Sequence, residues 1–225
     1  MNLEPHVAGD GVVFADSFWS PATVMSQNGV IVAANVSRGI SPTGASGRVT
    51  YVGTESLLIN ATQMTVEVRF RTPSVFPPAA AKGLIAKAPQ ALGDNQWFVQ
   101  FATFPALAMF VCNAPGDFAN LFYMDPMLAN TEYVAHLVYN GGLAVGSRGL
   151  IYLQGLPVAT TITGTLPAAM RASASPVTVL NRDGGAAAAM PTDFILRSFR
   201  VMDRALSPAE CLDAAVQITN KRITA

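Results

Sequence analysis

The chain has 225 residues, of which 51% are hydrophobic and 12% charged, with 14 Lys and Arg balancing 14 Asp and Glu. A charged share well under the usual ~25% leaves room for a large core and for apolar surface beyond it, which marks contact with partners. Zero net charge without a Lys/Arg cluster excludes nucleic-acid binding by charge neutralisation, and it removes one defence against self-association.

The N-terminus, Met-Asn-Leu-Glu-Pro-His, lacks the basic start and apolar core of a signal peptide, so no export signal is expected. After a short arm over residues 1–10, residues 11–18 and 29–36 read as the first strands. Trp19 follows the first strand beside Pro21; it is a candidate glycan-stacking residue, at the rim or in the core. Residues 41–47 read as a loop, and 48–52 and 56–59 as strands. The cleanest strand is Met-Thr-Val-Glu-Val-Arg-Phe-Arg from Met64. It sets Met64, Val66, Val68 and Phe70 on one face and Thr65, Glu67, Arg69 and Arg71 on the other.

Residues 74–81 form a Pro/Ala connection, and 82–86, 96–103, 106–113 and 121–124 follow as strands. Trp97, Val99 and Phe101 share a face, which favours the core. The apolar run 97–114 contains Gln100, Thr103 and Pro105, so it reads as two strands and not as a membrane-spanning helix. Residues 106–112 are apolar on both faces, which implies cover on both sides. Leu107 and Met109 are therefore candidate contact residues, unless a loop such as 73–81 lies over them. Phe118, Phe122, Tyr123, Met124 and Met127 cluster next, either as a hairpin packing on the sandwich or as an adhesive patch, since aromatics and Met are enriched at interfaces.

Residues 132–139 form a strand ending at Asn140-Gly141-Gly142, a hairpin signal. Strands over 149–154 and 156–160 flank Gly155, and 177–180 precedes a loop over 181–185. In the last strand Phe194, Leu196 and Ser198 alternate with Ile195, Arg197 and Phe199. Asp203-Arg204 breaks it, and Ser207-Pro208-Ala209-Glu210 is a capping box with proline at the first helical position, which starts a helix over about 208–219. With roughly a dozen short strands and no linker, residues 1–225 read as one all-β domain built from two sheets.

Few constellations carry chemistry. Without an export signal, Cys112 and Cys211 are expected as buried thiols and not as a disulfide; neither has metal-ligand spacing to His6 or His136. His136 alternates with Val134 and Val138, which suits a hydrogen-bonded strand histidine better than a catalytic one. The Gly-Gly pairs lack the Lys and Ser/Thr of a phosphate loop.

From Phe14 to Asp213 the chain resembles the concanavalin-A-like lectin/glucanase jelly rolls, in particular the laminin-G-like branch. The elements that carry the resemblance, in order, begin at Met64 (Met-Thr-Val-Glu-Val-Arg-Phe-Arg), Gly83 (Gly-Leu-Ile-Ala-Lys), Gln96 (Gln-Trp-Phe-Val-Gln-Phe), Tyr133, Ile151, Pro176 and Phe199. The resemblance implies a two-sheet antiparallel jelly-roll sandwich, one sheet concave, with a short C-terminal helix. The family's usual Tyr-x-Asp-Gly hairpin is Tyr152-Leu-Gln-Gly155 here, and its last strand's Asp-Glu pair is Leu196-Arg197. These changes, with Asp94, Asp117, Asp125 and Asp183 standing singly in loops, disfavour calcium, and no cofactor is expected. Glycosidases of the fold look like a strand bearing Glu-x-Asp-x-x-Glu, whereas no two of the 14 acids here lie two residues apart.

The expected function is a non-catalytic structural or adhesion module for protein–protein assembly, with itself or with a viral shell protein. A surface or decoration protein of a bacterial virus fits, located on the virion or in the host cytoplasm before assembly. The alternative is a lectin-like carbohydrate-binding module for receptor recognition; a glycoside hydrolase is less supported. Nucleic-acid binding and membrane insertion are not expected.

Overall fold

The computed structural model describes residues 12–17, 30–32, 40–42, 49–51, 54–87, 96–102, 107–114, 117–181 and 190–220. In chain order the strands are β1 (Val12–Ser17), β2 (Val30–Val32), β3 (Ile40–Pro42), β4 (Val49–Tyr51), β5 (Gln63–Arg71), β6 (Lys82–Lys87), β7 (Trp97–Phe101) and β8 (Leu107–Ala114). They continue as β9 (Asp117–Tyr123), β10 (Glu132–Asn140), β11 (Gly149–Leu153), β12 (Leu156–Pro157), β13 (Thr160–Thr163), β14 (Val177–Val179) and β15 (Ile195–Met202), before helix α1 (Pro208–Asn220). They form two antiparallel sheets, the all-β jelly-roll sandwich with a short C-terminal helix. One sheet runs β12-β11-β10-β5-β15-β3-β2, with β1 also paired to β15; the other runs β13-β9-β8-β7-β6-β14-β4.

The inward faces follow strand alternation. Met64, Val66, Val68 and Phe70 of β5 are fully buried and stand in register with Tyr139, Leu137, Ala135 and Tyr133 of β10. Across the sandwich, Trp97, Val99 and Phe101 join Leu107, Met109 and Val111 in the same cluster. Phe70 meets Phe101 edge to face at 5.1 Å, which ties the two sheets together. Each such side chain removed from water stabilises the fold by about 1.5–3 kcal/mol.

Several expectations change, among them the strand expected over 156–160, which divides into β12 and β13 on different sheets. Residues 56–59 are a turn and not a strand: Leu58 and Asn60 adopt φ of 61° and 57°, and Gln96 Nε2 donates to the Leu58 carbonyl at 2.8 Å. The expected loop over 41–47 starts inside a strand, because Ile40–Pro42 pairs with β2 and β15. The last strand shifts register between Leu196 and Ser198, a β-bulge at Arg197. The bulge reverses the alternation, so Leu196 and Phe199, expected on opposite faces, both enter the core.

The outward side of β5 also differs from the usual wet face. Thr65, Glu67 and Arg69 are all buried. The turn into α1 covers Thr65, whose hydroxyl donates to the Arg204 carbonyl at 2.8 Å and accepts from the Leu206 amide at 3.0 Å. Leu206 and Cys211 then pack on Val138, Tyr152 and Met202. The helix begins as its capping box requires: Glu210 Oε2 accepts from the Ser207 amide at 2.7 Å, and Ser207 Oγ accepts from the Glu210 amide at 3.4 Å.

Candidate functional site

Alternation that sends Trp97, Val99, Leu107 and Met109 inward sends their neighbours outward. On the outer face of the seven-stranded sheet, Phe98, Phe110, Asn120 and Thr163 lie side by side across β7, β8, β9 and β13. The next row is Gln100, Ala108, Phe122 and Thr161, and Phe118 stands beside Cys112. Phe98 stacks on Phe110 at 4.4 Å. Phe118 and Phe122 instead meet Phe110 edge to face, at 6.3 Å and 6.0 Å. Phe98 is only 3% exposed; Phe110, Phe118 and Phe122 are half-buried, and Thr161 and Thr163 are exposed. The Asn120 Oδ1 is buried without a hydrogen-bond partner. The Cys112 thiol is the only titratable side chain in these rows, and burial pushes it up to about 12. The result is an uncharged face of four phenylalanines bordered by amides and hydroxyls.

The structure therefore divides the expected contact patch. Phe118 and Phe122 belong to this face. Leu107 and Met109, expected as contact residues, are fully buried between the sheets, and Met127 is 4% exposed in the same core. Tyr123 packs against that core, in register with Leu107, and Met124 is half-buried. The loop 73–81 does not cover β8's outer face through Phe76, which instead packs on the core residue Phe101 at 5.2 Å. Phe98 and Phe110, which sequence reasoning misses as site residues, complete the face. Their signal is the alternation of Phe98 with Trp97 and Val99, and of Phe110 with Met109 and Val111. Trp19 lies outside the described residues.

A second constellation lies on the outer side of the eight-stranded sheet. Tyr152, His136, Glu67 and Arg200 form one row across β11, β10, β5 and β15. Both Glu67 carboxylate oxygens accept from the Arg200 fork, with Nε to Oε1 at 2.9 Å. His136, fully buried, places Nε2 3.1 Å from Glu67 Oε2. Burial pushes the Glu67 carboxyl up, but the hydrogen bonds and electrostatic attraction of His136 and Arg200 together outweigh it and hold it below its ordinary value. The Cys211 thiol beneath α1 is pushed up to about 12 by burial, with the Glu210 and Glu67 carboxylates adding to it. Both thiols are buried and unpaired. Further along, Arg197, on the bulge, donates to Glu132 Oε1 from Nε at 2.9 Å and from Nη2 at 2.6 Å.

Within this constellation the two carboxylates, Glu67 and Glu132, stand far apart along the sheet. Glu132 pairs with Arg71, and Glu67 with His136, four positions further along β10. Four residues span about 13 Å of strand, far beyond the ~5–5.5 Å of a retaining carboxylate pair. Each carboxylate is also held by an arginine. Among the described residues, no group of three His, Cys, Asp or Glu side chains is placed to hold a metal ion. Gln154 is spent on the sheet: its Nε2 donates to the Glu132 carbonyl at 2.9 Å.

No family model and no curated protein sequence matches the chain. Solved structures do. The binding domain of botulinum neurotoxin DC in complex with SialylT matches with TM-score 0.60 and 11% identity, over 85% of this chain and 45% of that one. The same domain in complex with rat synaptotagmin II gives 0.59 and 12%, over 85% and 45%. A Trypanosoma rangeli sialidase gives 0.55 and 14%, over 91% and 32%. At these identities the likeness is one of fold, and this chain spans less than half the length of each. Among the described residues no helix is long and apolar enough to cross a membrane.

Proposed function

We propose that this chain is a non-catalytic recognition module that binds carbohydrate on the outer face of its seven-stranded sheet. The observation that carries the reading is the cluster of half-buried Phe110, Phe118 and Phe122 beside Asn120, Thr161 and Thr163. Phenyl rings offer the C–H face of a sugar an apolar platform, while amides and hydroxyls fix its orientation. Two of the solved structures named above are binding domains, one of them in complex with SialylT. The separation of Glu67 from Glu132 and their capture by arginines support a binding role over a hydrolytic one. Trp19 is a further candidate stacking residue.

A second reading is supported by the Phe98–Phe110 stack, which occupies ring faces that a sugar needs. On this reading the face is an apolar contact for protein assembly, with another copy or with a shell protein on a virion surface. A glycan array probed with the wild-type protein and with Phe122→Ala separates the two. Glycan binding that falls at least tenfold in the variant supports the carbohydrate reading. A silent array, together with concentration-dependent association in sedimentation that Phe122→Ala abolishes, supports assembly instead.

A further inference from the structure

We infer that the Phe122 end of this face selects uncharged glycans and discriminates against sialylated, sulfated or phosphorylated ones. The inference rests on the carbohydrate reading above. Residues 88–147 contain no lysine or arginine. That stretch holds all of β7, β8, β9 and β10 and every connection between them. Its ionisable side chains other than cysteine, tyrosine and His136 are four carboxylates: Asp94, Asp117, Asp125 and Glu132. β13, which supplies Thr161 and Thr163 at the sheet edge, is Thr-Thr-Ile-Thr.

The flanking cations of β6 do not supply the missing charge. Lys82 and Lys87 are in register with Phe101 and Trp97, whose side chains enter the core. Lys87 Nζ donates to the Glu55 carbonyl at 2.7 Å and to the Ser173 carbonyl at 2.6 Å. Arg171 acts on the Cys112 thiol, where Asp117 acts with the opposite sign. Cys112 pairs with Phe118, four residues from Phe122 along β9, or about 13 Å. A ligand carboxylate or sulfate at Phe122 would lose its hydration shell against phenyl rings, and the strands β8, β9 and β13 around that ring carry no guanidinium or ammonium to replace it. A neutral pyranose meets no such penalty, since Gln100, Asn120, Thr161 and Thr163 are neutral hydrogen-bonding groups.

Matched pairs test this directly: lactose against 3′-sialyllactose, and each neutral glycan bound on an array against its sulfated or sialylated counterpart. The expected result is at least tenfold weaker binding of the acidic member, with neutral binding unchanged between 20 mM and 500 mM NaCl. The variant Thr161→Arg, on the exposed edge, is expected to narrow the gap severalfold by supplying the absent cation. Acidic members binding tenfold tighter, or binding that collapses with salt, overturns the inference and leaves the carbohydrate reading standing. An array blank for both members removes the carbohydrate reading and the inference with it.

Discussion

Phe98 lies flat against Phe110 across β7 and β8, with ring centroids 4.4 Å apart and planes 12° from parallel, on the outside of the sandwich. An outward face of an antiparallel sheet ordinarily carries polar residues, because it meets water. Here it carries a small apolar cluster of its own, with Phe118 edge-on to Phe98 and Phe122 edge-on to Phe110. Phe110, Phe118 and Phe122 remain half-buried around the more deeply buried Phe98.

Stability and binding are expected to separate along this cluster. Phe98→Ala removes a ring that is 3% exposed and leaves a cavity, so a loss of about 3 kcal/mol in urea denaturation is expected. Phe122→Ala removes a half-buried ring and is expected to cost about 1 kcal/mol while abolishing ligand binding. Equal stability losses in the two variants would show that Phe122 is part of the scaffold and not of the contact.

The Glu67 carboxylate, held below 4.5, makes stability depend on acid. A depressed carboxylate contributes stability that is fully present above its unfolded pKa and is lost as pH falls through the folded one. The thermal stability of the wild type is therefore expected to fall below about pH 4.5, and less steeply in Glu67→Gln. At neutral pH that variant breaks a buried pair and is expected to lose about 3 kcal/mol, near the low end for such pairs because the Arg200 side chain is 34% exposed. An unchanged acid profile in Glu67→Gln would move the effect to other carboxylates.

Gly155 is expected to resist substitution. Its φ is +78°, and a Cβ there would lie 2.7 Å from the Leu212 Cα of α1. Gly155→Ala thus combines about 1–2 kcal/mol of left-handed backbone cost with displacement of the helix. A drop of at least about 2 kcal/mol in chemical denaturation, with loss of α1 protection in hydrogen exchange, is expected. A neutral Gly155→Ala would mean that the helix is free to move away from the hairpin.

Elements with strong local signals are legible in the amino-acid order alone. β5 shows strict alternation, Trp97 lies where its face predicts, and Ser207 and Glu210 close the cap reciprocally. The outward aromatic face is only half legible. Phe118 through Met127 are close in sequence, but successive strand residues point to opposite faces, so Phe122 reaches the surface while Tyr123 and Met127 turn to the core. Leu107 and Met109 escape for a related reason: a strand apolar on both faces does not say which face the other sheet will cover.

Composition, alternation and capping are properties of neighbouring residues, and they determined the sandwich class, the inward face of β5 and the start of α1. What only the tertiary structure decided depends on pairing between distant strands. Glu67 meets His136 and Arg200, 69 and 133 residues away in the chain. The bulge at Arg197 reverses the last strand's faces to match β5, which no local pattern announces. Lateral register alone brought Phe98 and Phe110 together with Phe118 and Phe122, since cross-strand neighbours are set by hydrogen bonding across the sheet and not by order along the chain.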